Sequence, residues 1–220
     1  METMDNGNNI KEGKSFDHLG LDDSILRGIY SYGFEKPSVI QEKAIKPMSE
    51  GRDIIAQSQS GTGKTGAFTI AMLQKILNEK QQNPNAIAIV LSPTRDLSDQ
   101  IATVIEQIAS YTDIKYVKCI GGNNWKDNVR LLRRQHNIII GTPGRVYDML
   151  QRGEIQGKDV NMFVLDEADE MLDVRGFQHI VYDILQLVNP ETQICLFSAT
   201  MPPAVLDLTT KFMRDPISIL

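Results

Sequence analysis

The stretch SQSGTGKT, residues 58–65, joins an apolar run, DIIA, to an amphipathic one, GAFTIAMLQKIL. Small residues there let the backbone curl, so that the N–H groups of Ser60, Gly61, Thr62 and Gly63 turn inward around phosphate oxygens. Lys64 adds a full positive charge, and the hydroxyl of Thr65 faces a magnesium ion. The general pattern is GxxxxGKT, and Ser58 stands at its first glycine. That position only begins the loop, where a small residue still makes the turn. Far downstream, Asp166 ends the apolar run FVLD and Glu167 follows it. A carboxylate at Asp166 reaches the same magnesium, and Glu167 is placed to orient or deprotonate an attacking water, as phosphoryl transfer requires. Taken alone, DEADE also reads as an acidic helix start favoured by the helix dipole.

These groups need a scaffold that brings them together. The chain has 220 residues, 41% hydrophobic and 23% charged, which suits one α/β domain with a full core, expected over 15–220. Residues 1–14 are polar and are expected to form a flexible arm. Beyond them, short apolar runs alternate with amphipathic stretches, the signature of a mostly parallel sheet with helices on both faces. Seven runs read as strands: DIIA from Asp53, AIAIVLS from Ala86, KYVKCI from Lys115, NIIIG from Asn137, MFVLD from Met162, QICLFS from Gln193 and a final ISIL. The first six are followed by SGTGKT, PTRDL, GG, TPGR, DEAD and SAT. In open α/β sheets ligands bind beyond the carboxyl ends of the strands, where crossover helices begin. Six tags on that edge predict a single site.

The formal net charge of −5 argues against a surface that attracts nucleic acid everywhere. Between Gly121 and Arg152, however, six basic side chains face only two acidic ones, Asp127 and Asp148. That excess fits a local anionic partner or a solvated helix face. Cys119 and Cys195 lie in apolar runs and read as reduced packing residues, and His18, His136 and His179 share no helical face. No run approaches the roughly 18 apolar residues of a membrane helix, which predicts a soluble, intracellular protein with no membrane partner.

The combination SGTGKT, PTRDL, GG, TPGR, DEAD and SAT, in this order from Phe16 to Leu220, resembles the first RecA-like domain of DEAD-box RNA helicases. RGIYSYGFEKPSVIQ, IAQSQSGTGKT, MFVLDEADEML and KFMRDPI look most like the translation initiation factor 4A group, which includes a nuclear exon-junction relative. The resemblance implies a RecA-like P-loop fold, ATP with Mg2+, and single-stranded or short duplex RNA as partner. It makes GFEKPSVIQ, with Phe16, an adenine-reading segment in which Gln41 hydrogen-bonds the base and Phe34 stacks on it. Thr94, Arg95, Gly121, Gly122, Thr142 and Arg145 would hold the RNA backbone, and binding would be largely blind to sequence. Ser198 and Thr200 would couple phosphate state to RNA through Asp169.

Two departures stand out. Asp96 replaces the Glu of PTREL, and its position is read as structural support. GGNNW places Trp125 near the RNA path, where it either stacks on a base or packs on its own helix. The resemblance further implies a monomer that meets scaffold or initiation-factor partners in the cytoplasm, or alternatively in the nucleus as an RNA clamp. It also implies a second RecA-like domain beyond these residues, so that this polypeptide alone should hydrolyse ATP negligibly. A GTPase would share the phosphate loop, but the sequence holds no NKxD segment for reading guanine.

Overall fold

A computed structural model describes residues 15–122 and 124–219; the expected arm at 1–14 lies outside the described residues. The strands are β1 (Ile54–Gln57), β2 (Ile87–Leu91), β3 (Tyr116–Cys119), β4 (Ile138–Gly141), β5 (Val160–Leu165), β6 (Gln193–Ser198) and β7 (Ile217–Ile219). They form one sheet in the order β3-β4-β2-β5-β6-β1-β7. Every pairing is parallel, β7 with β1 included, so the sheet is wholly rather than mostly parallel.

Because strands of such a sheet are covered on both faces, they read as near-continuous apolar runs. β2, β4 and β6 are buried at every residue. Alternate side chains then divide the core in two. Ile54, Ala56, Val90, Ile140, Val164 and Phe197 face helices α1 (Asp23–Tyr32), α2 (Val39–Ser49), α3 (Lys64–Glu79) and α4 (Arg95–Ile108). Ile89, Leu91, Ile139, Phe163, Leu165 and Leu196 face α5 (Trp125–Leu132), α6 (Pro143–Gln151), α7 (Gln178–Leu187) and α8 (Pro203–Phe212). Cys119 and Cys195 are free thiols within these layers, and burial drives both well above the ordinary thiol range.

β5 begins two residues earlier than the sequence suggests. Val160 pairs with Ile87 across a register irregularity, and the polar Asn161 hid the strand's start. α3 is buried almost all round, as a central helix should be. Three helix starts shape the carboxyl edge of the sheet. Gly63 opens α3 with φ of 98°, Thr94 caps α4 by accepting from the Leu97 N–H at 3.1 Å, and Pro143 occupies the first turn of α6 after Thr142. After β5 the chain takes one π-helical turn, Glu170–Val174. Among the described residues, no helix is long and apolar enough to cross a membrane.

Candidate functional site

At the carboxyl edge of the sheet, the loop after β1 and the end of β5 enclose a cavity of about 430 Å³. Its walls include Phe34, Ser60, Gly61, Gly63, Lys64, Thr65, Asp166 and Glu167. Lys64 is only 5% exposed, and its Nζ lies 2.9 Å from Glu167 Oε1, which also accepts from Ser60 Oγ at 3.1 Å. Glu167 reaches this position with a backbone φ of 49°, a left-handed conformation uncommon for a residue with a Cβ. Its own N–H donates to Asp166 Oδ1 at 3.1 Å. Asp166 is 2% exposed, and burial pushes its carboxyl up to about 7; Lys64 pulls the other way and the Glu167 charge adds to the rise. A buried carboxyl of this kind is short of positive charge.

The loop itself is pinned from both sides. Ser58 has no left-handed backbone to demand glycine; its N–H donates to the Ser198 carbonyl at 2.9 Å and its hydroxyl meets that of Thr62. On the other side, the Gln41 amide donates to the Gly63 carbonyl at 3.3 Å and accepts from the Ser38 N–H at 2.9 Å, closing a capping box on α2. Gln41 is buried beside the cavity, against Gly66 of its wall. Phe34 lines it, with Phe16 stacked 6.2 Å away on an interplanar angle of 20°.

A second and larger cavity, about 790 Å³, opens along the same edge. Thr94, Arg95, Asp96, Gly121, Thr142 and Arg145 line it, with Asp148, Arg175 and Phe177. The Arg95 guanidinium sits against Gly122: a Cβ there, where φ is 88°, would stand 2.1 Å from its Nη1. Arg145 donates to Asn128 Oδ1, and Asn128 in turn donates to the Lys118 carbonyl at 2.8 Å. The hydroxyl of Thr94 is already spent on its helix cap, whereas that of Thr142 makes no cap bond. Asp96 is exposed in the first turn of α4, where a carboxylate favours the helix dipole, and makes no hydrogen bond or ion pair among the described residues.

Between strand ends, Ser198 and Thr200 meet Asp169. The Asp169 N–H donates to Ser198 Oγ at 3.1 Å, and the Thr200 N–H and hydroxyl donate to Asp169 Oδ2 at 2.9 and 2.6 Å. Burial raises the Asp169 carboxyl, but the bonds from Thr200 and Ser198 outweigh it and hold the group below its usual range. α4 joins the two cavities: its start, Arg95 and Asp96, lines the larger, and Leu97, Gln100 and Val104 line the smaller.

A family model for DEAD/DEAH box helicases matches residues 38–208, which takes in the larger cavity and all of the smaller one but Tyr32 and Phe34. The chain belongs to that family. It is 52% identical over 207 residues to the ATP-dependent RNA helicase eIF4A of Pyricularia oryzae, and 51% identical over 206 residues to that of Chaetomium globosum. Each alignment covers 94% of this chain and 51% of the relative, so the chain spans about half the length of the curated relatives it matches. Among solved structures, a DEAD box protein from the hyperthermophile Methanococcus jannaschii superposes with a TM-score of 0.86 at 40% identity, over 93% of this chain and 55% of that one. Saccharomyces cerevisiae Dbp5, bound to RNA and ADP BeF3, superposes with a TM-score of 0.82 at 37% identity, over 94% of this chain and 52% of that one.

Several residues of this DEAD-box site escaped the sequence reading. Tyr32 lines the smaller cavity and packs edge-on to Phe34 with centroids 4.7 Å apart. Its cue was the triplet YGF, read only from Gly33 onward. Gly66 is the other: a Cβ there would stand 2.6 Å from Gln41 Nε2 and 2.9 Å from Phe34 Cε2, so only glycine lets those side chains close on α3. A glycine just inside a long apolar helix was the available sign. Asn128, Arg175 and Phe177 carried none, because only tertiary packing brings them to the larger cavity.

Proposed function

We propose that this chain is the nucleotide-binding half of an ATP-dependent RNA helicase of the initiation factor 4A type. ATP with Mg2+ would enter the cavity around Lys64, and the backbone of single-stranded or short duplex RNA the cavity around Arg95 and Arg145. The observation that carries this reading is the Lys64–Glu167 pair over the buried Asp166. A cation and two carboxyl groups withdrawn from water at the mouth of a glycine-rich loop suit a site that exchanges charge with a triphosphate. The names of the relatives and the RNA and nucleotide on Dbp5 agree with it.

The steps follow from the residues. Phosphate oxygens would compete with Glu167 for Lys64 and for the Ser60 hydroxyl, and would take the N–H groups of Ser60, Gly61, Thr62 and Gly63. Once Lys64 turns to phosphate, Glu167 is released to orient a water and accept its proton. Asp166 and Thr65 would hold magnesium. The fit rests on the cavity wall, where the buried Asp166 carboxyl and Thr65 stand together, and on magnesium's habit of taking one or two carboxylates and completing its shell with waters and phosphates. Held by these two residues, the ion would supply charge that neutralises the phosphate oxygens. Phe34 would stack on adenine. The Gln41 amide keeps one N–H and one lone pair beyond its two bonds, the complement of adenine's edge.

Along the larger cavity, Arg95 and Arg145 would supply charge, and Gly121, Gly122, Thr94 and Thr142 close backbone approach and helix-start amides, none of which reads sequence. Asp169, Ser198 and Thr200 would relay phosphate state toward that edge. We assign hydrolysis and unwinding to this chain joined to the remaining half of such a protein, acting as a monomer with scaffold or initiation-factor partners in the cytoplasm. Displacement of a fluorescent ATP analogue from the 220-residue polypeptide tests the reading. ATP with magnesium should compete and GTP should not, and RNA-stimulated turnover by the polypeptide alone should be negligible. Equal competition by GTP would remove the adenine assignment, and rapid RNA-stimulated turnover would remove the division of labour.

A further inference from the structure

We propose that Trp125 and Arg152 form a base-stacking platform at one exit of the larger cavity, so that a strand lying along Arg95 and Arg145 is also held by the face of a nucleobase. The inference rests on the RNA reading above and adds to it a contact of a different chemical kind.

Position comes first. Trp125 opens α5 shortly after Gly121 and Gly122, and the Arg95 guanidinium in the cavity wall fills the space a Cβ at Gly122 would need. One turn further along α5, Asn128 is 3% exposed and bonded to Arg145, which fixes the helix against the cavity. The cavity-lining Asp148 accepts from Arg152 Nε at 2.7 Å, and the Arg152 guanidinium lies over the indole, 4.4 Å from its centre. A continuous run of contacts therefore leads from the cavity to the indole on two sides.

The indole itself does little for the fold. Trp125 is 37% exposed and belongs to neither hydrophobic core, whereas other partly buried aromatic residues of that layer, such as Tyr147, Phe177 and Phe212, pack against it. Its ring contacts are cations, Arg152 and, at 6.0 Å, Lys126. Around it the surface is basic and weakly neutralised. Arg130 and Arg133 reach carboxylates only at 3.7 and 3.5 Å, and Lys126 and Arg134 make no ion pair among the described residues. An exposed ring beside a guanidinium plane, set among cations, suits single-stranded nucleic acid, whose bases stack on aromatic faces while its phosphates meet the charge. Such stacking tolerates any base, in keeping with a cavity that reads backbone.

The chain contains a single tryptophan, so one indole N–H resonance reports on the platform. The 220-residue polypeptide would be titrated with a short oligouridylate and, separately, with an abasic strand of equal length, each strand also carrying a dye for anisotropy. The expected result is a saturable shift of the indole resonance with oligouridylate that the abasic strand does not reproduce. Trp125→Ala should weaken oligouridylate binding by about 5- to 10-fold and leave abasic-strand binding unchanged, with Trp125→Phe recovering much of the loss. A merely structural tryptophan would move both strands together, which overturns the platform. Anisotropy that reports binding while the indole stays still also overturns it and leaves the RNA reading standing. No binding of either strand, even at saturating concentrations, overturns both.

Discussion

The two cavities open along the same edge of the sheet, beyond different strands, and hold their charges in opposite ways. In the smaller, Lys64 is buried and neutralised by Glu167, and Asp166 sits beside them at a carboxyl pKa near 7. In the larger, Arg95 is exposed, lies on glycine backbone and makes no ion pair among the described residues. The first is a closed circuit that a ligand must open; the second is a rail already laid. Electrostatic interactions withdrawn from water are strong and sensitive to protonation, whereas exposed charges are weaker and yield to salt. pH should therefore probe one cavity and ionic strength the other.

The largest effect expected is at Asp166. Its folded pKa stands above its unfolded value, so the native state binds more protons than the unfolded chain between about pH 4 and pH 7, and stability falls as pH rises through that window. Asp166→Asn carries no such penalty. Denaturant unfolding of the polypeptide without nucleotide should find the variant more stable than the parent at pH 8 by up to about 4 kcal/mol, with the advantage shrinking toward pH 4. A pH-independent difference would mean that Asp166 is not withdrawn from water.

Next comes the ion pair above it. Lys64→Ala removes a charge-assisted bond to phosphate and leaves Glu167 unpaired, so ATP affinity should drop by about 10²-fold. Glu167→Gln should leave ATP binding equal or tighter, because phosphate no longer competes with a carboxylate for Lys64, while turnover in a full-length relative carrying the change is lost. If both variants weakened ATP binding equally, the pair would not be a circuit opened by the nucleotide. On the other cavity, Gly122→Ala meets a φ of 88° and a guanidinium 2.1 Å from the new Cβ. RNA affinity should fall several-fold with ATP affinity unchanged, measured on the same preparation; a parallel loss of both would point to general unfolding instead.

How far the sequence carries depends on the kind of contact. The strands were legible because buried parallel strands are plain apolar runs, and the start of β5 was missed where Asn161 interrupts one. Strand order was not legible, since crossovers and packing decide which runs become neighbours. At the site, tags at strand ends placed Lys64 with Asp166 and Arg95 with Arg145, and the family resemblance placed Ser198 and Thr200 beside Asp169. The Lys64–Glu167 bond lay beyond reach because it depends on the left-handed backbone of Glu167, which no residue type announces. Asp96 reads as support from the sequence, and it stands in the first turn of α4; that it also lines the larger cavity was not legible.

The smallest effect is also the one that separates the cavities most cleanly. A protein that neutralises phosphates of a single strand loses affinity with salt, the slope of log K against log salt falling by about 0.7 for each phosphate contact. Arg95→Gln removes one such charge without disturbing the α4 cap, which belongs to Thr94. RNA affinity measured across a salt series should therefore show a slope shallower by about 0.7 for the variant, and the two proteins should converge at high salt. The ATP affinity of Arg95→Gln should match the parent throughout, because Arg95 lines only the larger cavity. An unchanged RNA slope would take Arg95 off the phosphates, and the rail would then have to run through Arg145 and the basic face of α5 alone.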